Sequence, residues 1–212
     1  STCYFLDNDL DTILQHANGK QAVIIGPGIG TAPETAAIVV KLYQSLECPL
    51  VLDADALNIL AVNRGASKEP PGARIFTPHP GELSRLLDRP IGTIQANRLD
   101  SAELGCNLFP NKNHETVMVL KGAGTIITSN DGSTVINTTG NPGMGTGGMG
   151  DVLSGIIGAL IAQGMSAKDA AIAGTHLHGL AGDMLYHECG SGFSATEVAE
   201  KIPYALKSVF NE

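Results

Sequence analysis

The sequence predicts an α/β fold: a mainly parallel central sheet with helices on both faces and an antiparallel edge. Three observations carry that expectation. Short β-branched runs alternate with longer segments that read as helices, the pattern of strand–helix–strand units. The early strand candidates are almost wholly apolar, as in a sheet covered on both faces. Asn130-Asp131-Gly132 separates two later candidates and is a strong hairpin signal.

In chain order, strands are expected at Ala22–Gly26, Leu50–Asp53, Arg74–Thr77, Thr116–Leu120, Thr125–Thr128 and Thr134–Asn137. Helices are expected between the first four, at Pro33–Leu46, Asp55–Val62, Pro80–Leu87 and Thr93–Leu104, with an irregular surface connection over Asn63–Gly72. Beyond Asn137 the chain changes character, with six glycines between Gly140 and Gly150. Val152, Leu153, Ile156, Ile157, Leu160 and Ile161 then recur at helical spacing, and Gly164 offers a stop. Ser166-x-x-Asp169 opens a second helix toward His187, and a third covers Ala195–Val209.

The 212 residues, 43% hydrophobic and 16% charged, suit one domain over residues 1–212 with a continuous core, and exclude intrinsic disorder. The richest apolar run, Val152–Ile161, is broken by Ser154, Gly155 and Gly158, so no membrane span is expected. A net charge of −8 argues against nucleic acid or an anionic membrane as partner. Any phosphate must therefore be held by local backbone groups. Cys3, Cys48, Cys106 and Cys189 are widely spaced, with no zinc or disulfide pattern. No signal peptide is visible at the start of the sequence, and the scattered cysteines fit a reducing cytosol, so a cytoplasmic protein is expected.

Gly140–Asp151 leads directly into a helix, and its glycines let backbone N–H groups converge on a ligand. With the helix dipole this forms an anion hole at Gly147, Gly148, Met149 and Gly150. Asp151 at the helix entrance reads either as a cap or first-turn carboxylate or as a base that activates a hydroxyl for attack on phosphorus. No Gly-Lys-Ser/Thr follows, which excludes a Walker A loop. Gly26-Pro27-Gly28-Ile29-Gly30 lacks the spacing of a dinucleotide fingerprint and remains a strand-end turn open to ligand. Asp53 and Asp55 lie at a strand's carboxyl end, where they would contact a polar ligand or Mg²⁺ indirectly, or where Asp55 would only cap the next helix. His79, between Pro78 and Pro80, reads equally as structural or as a ligand contact. Lys121-Gly122-Ala123-Gly124-Thr125 reads as a turn that admits a nucleotide, with Lys121 near its phosphates, or as an ordinary hairpin. His176 and His178 point to different faces of a helix, and zinc is rejected.

The Gly26–Gly30 turn, Asp53-Ala54-Asp55-Ala56-Leu57-Asn58, Thr77–Glu82, Leu120–Thr125 and Asn141–Asp151, in that order, resemble the ADP/ATP-dependent NAD(P)H-hydrate dehydratases, a metabolite-repair family of ribokinase-like fold. The likeness covers about residues 20–190. It implies a lyase that phosphorylates the C6 hydroxyl of hydrated NADH or NADPH and eliminates phosphate. Asp151 would be catalytic, with Gly30 and His79 also lining the substrate. Lys121, Gly122, Ala123, Gly124, Thr125 and Gly150 would surround the adenine nucleotide, ADP or ATP, with Mg²⁺. A homo-oligomer is expected. The family's first strand–helix portion is missing before Ser1, and Gly145 stands where the family usually has Ala. A small-molecule kinase of the hydroxyethylthiazole kinase type is the alternative, and a non-catalytic nucleotide-binding module would need Asp151 only as a cap.

Overall fold

Alternate residues of the central strands feed two different cores, and that alternation fixes the architecture. The computed structural model describes residues 9–66 and 69–210; Cys3 lies outside the described residues. Six strands, β1 (Val23–Ile25), β2 (Leu50–Leu52), β3 (Arg74–Phe76), β4 (Thr116–Leu120), β5 (Ile126–Ser129) and β6 (Thr134–Ile136), pair in sequential order. β1 to β4 are parallel, and β4–β5 and β5–β6 are antiparallel. The expected parallel sheet and antiparallel edge are both present.

Leu50, Leu52, Phe76, Met118, Leu120 and Ile126 point to one face, covered by α2 (Pro33–Ser45), α3 (Ala54–Val62), α4 (Pro80–Leu87) and α6 (Arg98–Asn107). Val51, Ile75, Val117, Val119 and Ile127 point to the other, against α7 (Met149–Ala162) and α8 (Ala167–Cys189). This two-sided burial is why the strands read as apolar runs rather than as alternating ones. A third cluster, including Met149, Leu177, Leu185, Phe193 and Val198, joins α7 and α8 to α9 (Ala195–Val209). Among the described residues no helix is long and apolar enough to cross a membrane.

Three local features differ from the sequence expectation. A short amphipathic helix, α1 (Asp9–Ala17), precedes β1. The single helix expected over Thr93–Leu104 is two, α5 (Ile91–Ala96) and α6, broken at Asn97. The break turns Arg98 toward the β4–β5 connection, where it donates to the carbonyls of Leu120 (3.3 Å) and Gly124 (3.2 Å). Arg74, which reads as an ordinary strand residue, is fully buried and donates to the carbonyls of Tyr43 and Leu46 at the end of α2, at 2.6 and 2.7 Å from Nη2. Those carbonyls carry the negative end of the helix, so the buried cation is solvated by the main chain. Burial still lowers the Arg74 pKa to about 10.

Candidate active site

Parallel strands bring their carboxyl ends to one edge of the sheet, and the turns after β1, β2, β3 and β4 meet there. Asp53, directly after β2, is 1% exposed. Its Oδ1 accepts from Lys121 Nζ (2.7 Å) and Ala54 N (2.9 Å), and its Oδ2 accepts from Ser154 Oγ (2.7 Å). Thr77 Oγ1 completes the cluster 3.4 Å from Ser154 Oγ. Burial alone would raise the Asp53 carboxyl, but the Lys121 charge and the surrounding hydrogen bonds hold it below its ordinary value. The approach of β1 is equally tight: a Cβ on Gly26 would collide with the Asp53 carbonyl oxygen, so only glycine fits.

Asp53, rather than Asp55, holds the N-cap position of α3. Asp55 Oδ2 instead accepts from Gly30 N at 2.9 Å, tying down the Gly26–Gly30 turn. Between the two carboxylates Ala54 has φ +46, a left-handed conformation that costs a non-glycine residue about 1 kcal/mol.

His79 caps α4. Its Nδ1 accepts from Gly81 N (3.0 Å) and Glu82 N (3.3 Å), while Glu82 Oε2 accepts from His79 N (2.8 Å), a reciprocal capping box. Glu82 Oε2 also lies 3.9 Å from Lys121 Nζ, so the capping box and the Asp53 cluster form one ionic network. The half-exposed ring of His79 leaves Nε2 3.3 Å from Glu82 Oε1.

Helix α7 starts at this network. Gly148 is its N-cap, at φ +86, a conformation in which a β-branched side chain is strained. A Cβ on Gly150 would lie 3.0 Å from Lys121 Nζ and 3.6 Å from Asp53 Oδ2, so the first turn of α7 rests on the Lys121–Asp53 pair. Asp151 is not the cap. It is the third helical residue, is exposed, and accepts no hydrogen bond among the described residues.

A cavity of about 780 Å³ opens on the other side of Lys121. Its walls are Lys121–Thr125, the segment 136–142, Met149, Gly150, and Thr175 and His178 of α8. This volume suits a small-molecule ligand. All of the predicted nucleotide residues line it. Thr125 Oγ1 donates to the Gly122 carbonyl at 2.9 Å, closing the turn that Arg98 clamps from outside. Lys121 also has a structural partner, because one N–H of its ammonium is given to Asp53. Of the four residues expected to form an anion hole, Met149 and Gly150 line the cavity, whereas Gly147 and Gly148 do not. Gly30, His79 and Asp151 also lie outside it. His79 connects to it through Glu82 and Lys121, and Asp151 through its chain neighbour Gly150, whereas Gly30 is bonded to Asp55, which does not line it.

Sequence reasoning missed Ser154 and Glu82 as parts of this network, and His178. Ser154 was legible in principle, being one helical turn after Gly150 and hence on the same face. His178 is buried, and its Nε2 has no hydrogen-bond partner among the described residues. Burial lowers its pKa to about 4, so the ring is neutral near pH 7. The described residues form no cluster of three or more His, Cys, Asp or Glu that could hold a metal ion.

A family model described as NAD(P)H-hydrate dehydratase matches residues 2–204. A bifunctional NAD(P)H-hydrate repair enzyme of Moorella thermoacetica is 39% identical over 204 residues, 96% of this chain and 38% of the relative. The chain thus spans well under half the length of that relative. Among solved structures, an ADP/ATP-dependent NAD(P)H-hydrate dehydratase from Bacillus subtilis, co-crystallized with ATP/Mg²⁺, superposes with a TM-score of 0.76 at 30% identity, covering 92% of this chain and 68% of that one. A ribokinase-like superfamily protein from Enterococcus faecalis gives a TM-score of 0.78 at 26% identity, over 95% and 68% of the two chains.

Proposed function

The chain belongs to the NAD(P)H-hydrate dehydratase family, and from that premise we propose that it restores hydrated NADH or NADPH at the expense of ADP or ATP. The observation that carries the reading is the position of Asp151: an exposed carboxylate without a partner among the described residues, one residue beyond the glycine that closes the cavity. Every other carboxylate of the Asp53 network is committed to Lys121, to a helix cap or to the Gly30 turn.

In this reading the nucleotide enters the cavity with its adenosine against Lys121–Thr125 and its terminal phosphate at the free N–H groups of Gly147–Gly150. The positive end of α7 stabilises that phosphate where the global charge of −8 does not. The hydrated nicotinamide lies on the open side, lined by Gly30 and His79. Asp151 accepts the proton of the C6 hydroxyl, whose oxygen attacks the terminal phosphorus while the bond to the departing nucleotide breaks. Phosphate is a far better leaving group than hydroxide, so cleavage of the C6–O bond with loss of the C5 proton to water restores the ring double bond and returns the reduced dinucleotide.

Mg²⁺ fits this site only as a companion of the nucleotide. The absence of a three-ligand cluster among the described residues suits an ion that keeps its waters and binds through phosphate oxygens and at most one or two carboxylates. Held with the nucleotide, the ion would neutralise charge on the phosphates. Cytoplasmic placement is supported by the free thiols of Cys48, Cys106 and Cys189, and a homo-oligomer would cover exposed Tyr204, Val209 and Phe210.

Asp151→Asn tests the assignment. Because Gly148 caps α7 and Asp151 accepts no hydrogen bond among the described residues, the variant should fold and bind nucleotide normally yet lose about 10²-fold or more in turnover, the scale of general-base catalysis. Unimpaired turnover would remove Asp151 from the chemistry.

A further inference from the structure

The glycine-rich loop that leads to α7 is not held by its own residues alone. Asp183, on α8, accepts from Gly140 N through Oδ2 (2.8 Å) and from Asn141 Nδ2 through Oδ1 (2.9 Å). Asn141 in turn accepts from Gly143 N through its own Oδ1 (3.0 Å) and caps the short 3₁₀ turn Pro142–Met144. One carboxylate therefore fixes three successive features of the loop: a main-chain N–H, a side-chain amide orientation and a turn.

The same face of α8 is shaped to receive that loop. Residues 179, 182 and 183 are neighbours on one helical face. A Cβ on Gly179 would collide with Thr139 Oγ1, and one on Gly182 with Met144 Sδ, so the loop packs directly onto the helix backbone. Thr139 Oγ1 adds a hydrogen bond to the His176 carbonyl (2.9 Å). Thr139, Gly140, Asn141, Pro142 and Met144 are all wall residues of the 780 Å³ cavity.

We propose that Asp183 is a positioning residue for turnover: through Gly140 and Asn141 it sets the loop that forms the cavity wall and delivers the phosphate-binding turn to α7. This rests on the reading of the cavity as the nucleotide site. The chemistry of the contact is directional. A carboxylate accepts from both loop donors, whereas an amide at 183 accepts from Gly140 N and then points its own NH₂ at the NH₂ of Asn141. Reversing the pair repairs this, because a carboxylate at position 141 accepts from the amide at 183 with one oxygen and from Gly143 N with the other.

The test is a reciprocal swap in the full chain, read by steady-state kinetics, by ADP titration calorimetry and by amide exchange of residues 139–149. Asp183→Asn should lower kcat about 10- to 100-fold, the scale of losing a charge-assisted hydrogen bond, and speed exchange at Gly140 and Gly143. KM for the dinucleotide should change by less than about threefold, because Asp183 is not among the walls of the cavity. Asn141→Asp alone, which sets two carboxylates face to face, should be impaired at least as much. The double variant Asn141→Asp/Asp183→Asn should recover both turnover and exchange protection to within about threefold. Wild-type kcat or unchanged exchange in Asp183→Asn overturns the proposal, and so does a double variant, folded or unfolded, that is not rescued. Absence of ADP binding and of dehydration in the wild-type chain would instead refute the functional reading, with the exchange result still deciding the loop anchor.

Discussion

Replacing Lys121 with Met should cost about 3–5 kcal/mol of folding stability, the usual penalty for stranding one member of a buried ion pair. Met retains the length of the stem, so the loss comes from charge rather than packing. The structure makes the penalty unavoidable: Asp53 is 1% exposed, its pairing distance to Lys121 is 2.7 Å, and Ser154 and Ala54 supply neutral donors only. For a domain of this size the loss corresponds to a fall in Tm of roughly 6–20 °C. Its pH dependence has a definite sign. In the wild type the Asp53 pKa lies below its unfolded value, so its stabilisation is complete above about pH 4 and fades only as pH falls further. Without Lys121, burial raises that pKa above the unfolded value, and the variant gains a proton on folding as pH falls toward 4. Urea unfolding of both proteins at pH 7 and near pH 4.5 should therefore show a gap that narrows on acidification, and Asp53→Asn/Lys121→Met should recover most of it. A gap under about 1 kcal/mol at pH 7, or one independent of pH, would refute the buried-pair reasoning.

Three further outcomes are expected. Gly148→Val places a β-branched side chain at φ +86 beside the proposed anion hole, so nucleotide binding measured by calorimetry should fall by at least about 10²-fold. Arg98→Ala removes the bonds to the Leu120 and Gly124 carbonyls, and ADP should bind about tenfold more weakly with near-normal kcat, as read from a kinetic and binding comparison. Arg74→Met leaves the Tyr43 and Leu46 carbonyls without their buried donor and should lower stability by about 2–4 kcal/mol in urea titrations without altering nucleotide affinity.

The sheet was legible because each apolar run is short, β-branched and followed by a turn, and because Asn130-Asp131-Gly132 leaves few alternatives to a hairpin. Register and the two-sided core then follow from alternation. The broken helix at Asn97 was hidden because its cause is distant: Arg98 bonds to carbonyls in the β4–β5 connection, which no local pattern records. At the site, the glycine loops and their order were visible, since close backbone approach demands glycine. The pairing of Lys121 with Asp53, 68 positions apart, was not. It gives Lys121 a structural role beside its place in the cavity wall. His79 shows the same limit, because a histidine that caps a helix and one that meets a substrate have the same sequence surroundings. Asp183 lay outside every motif, and its role is visible only once α8 is packed against the glycine loop.

The most direct test of the functional account is to incubate the chain with hydrated NADH and either ADP or ATP, and to follow reduced-nicotinamide absorbance and inorganic phosphate together. The account predicts that NADH and phosphate appear in equal amounts, that neither appears without nucleotide, and that Asp151→Asn suppresses both. Accumulation of a stable phosphorylated dinucleotide without NADH, or consumption of nucleotide uncoupled from NADH, would contradict it.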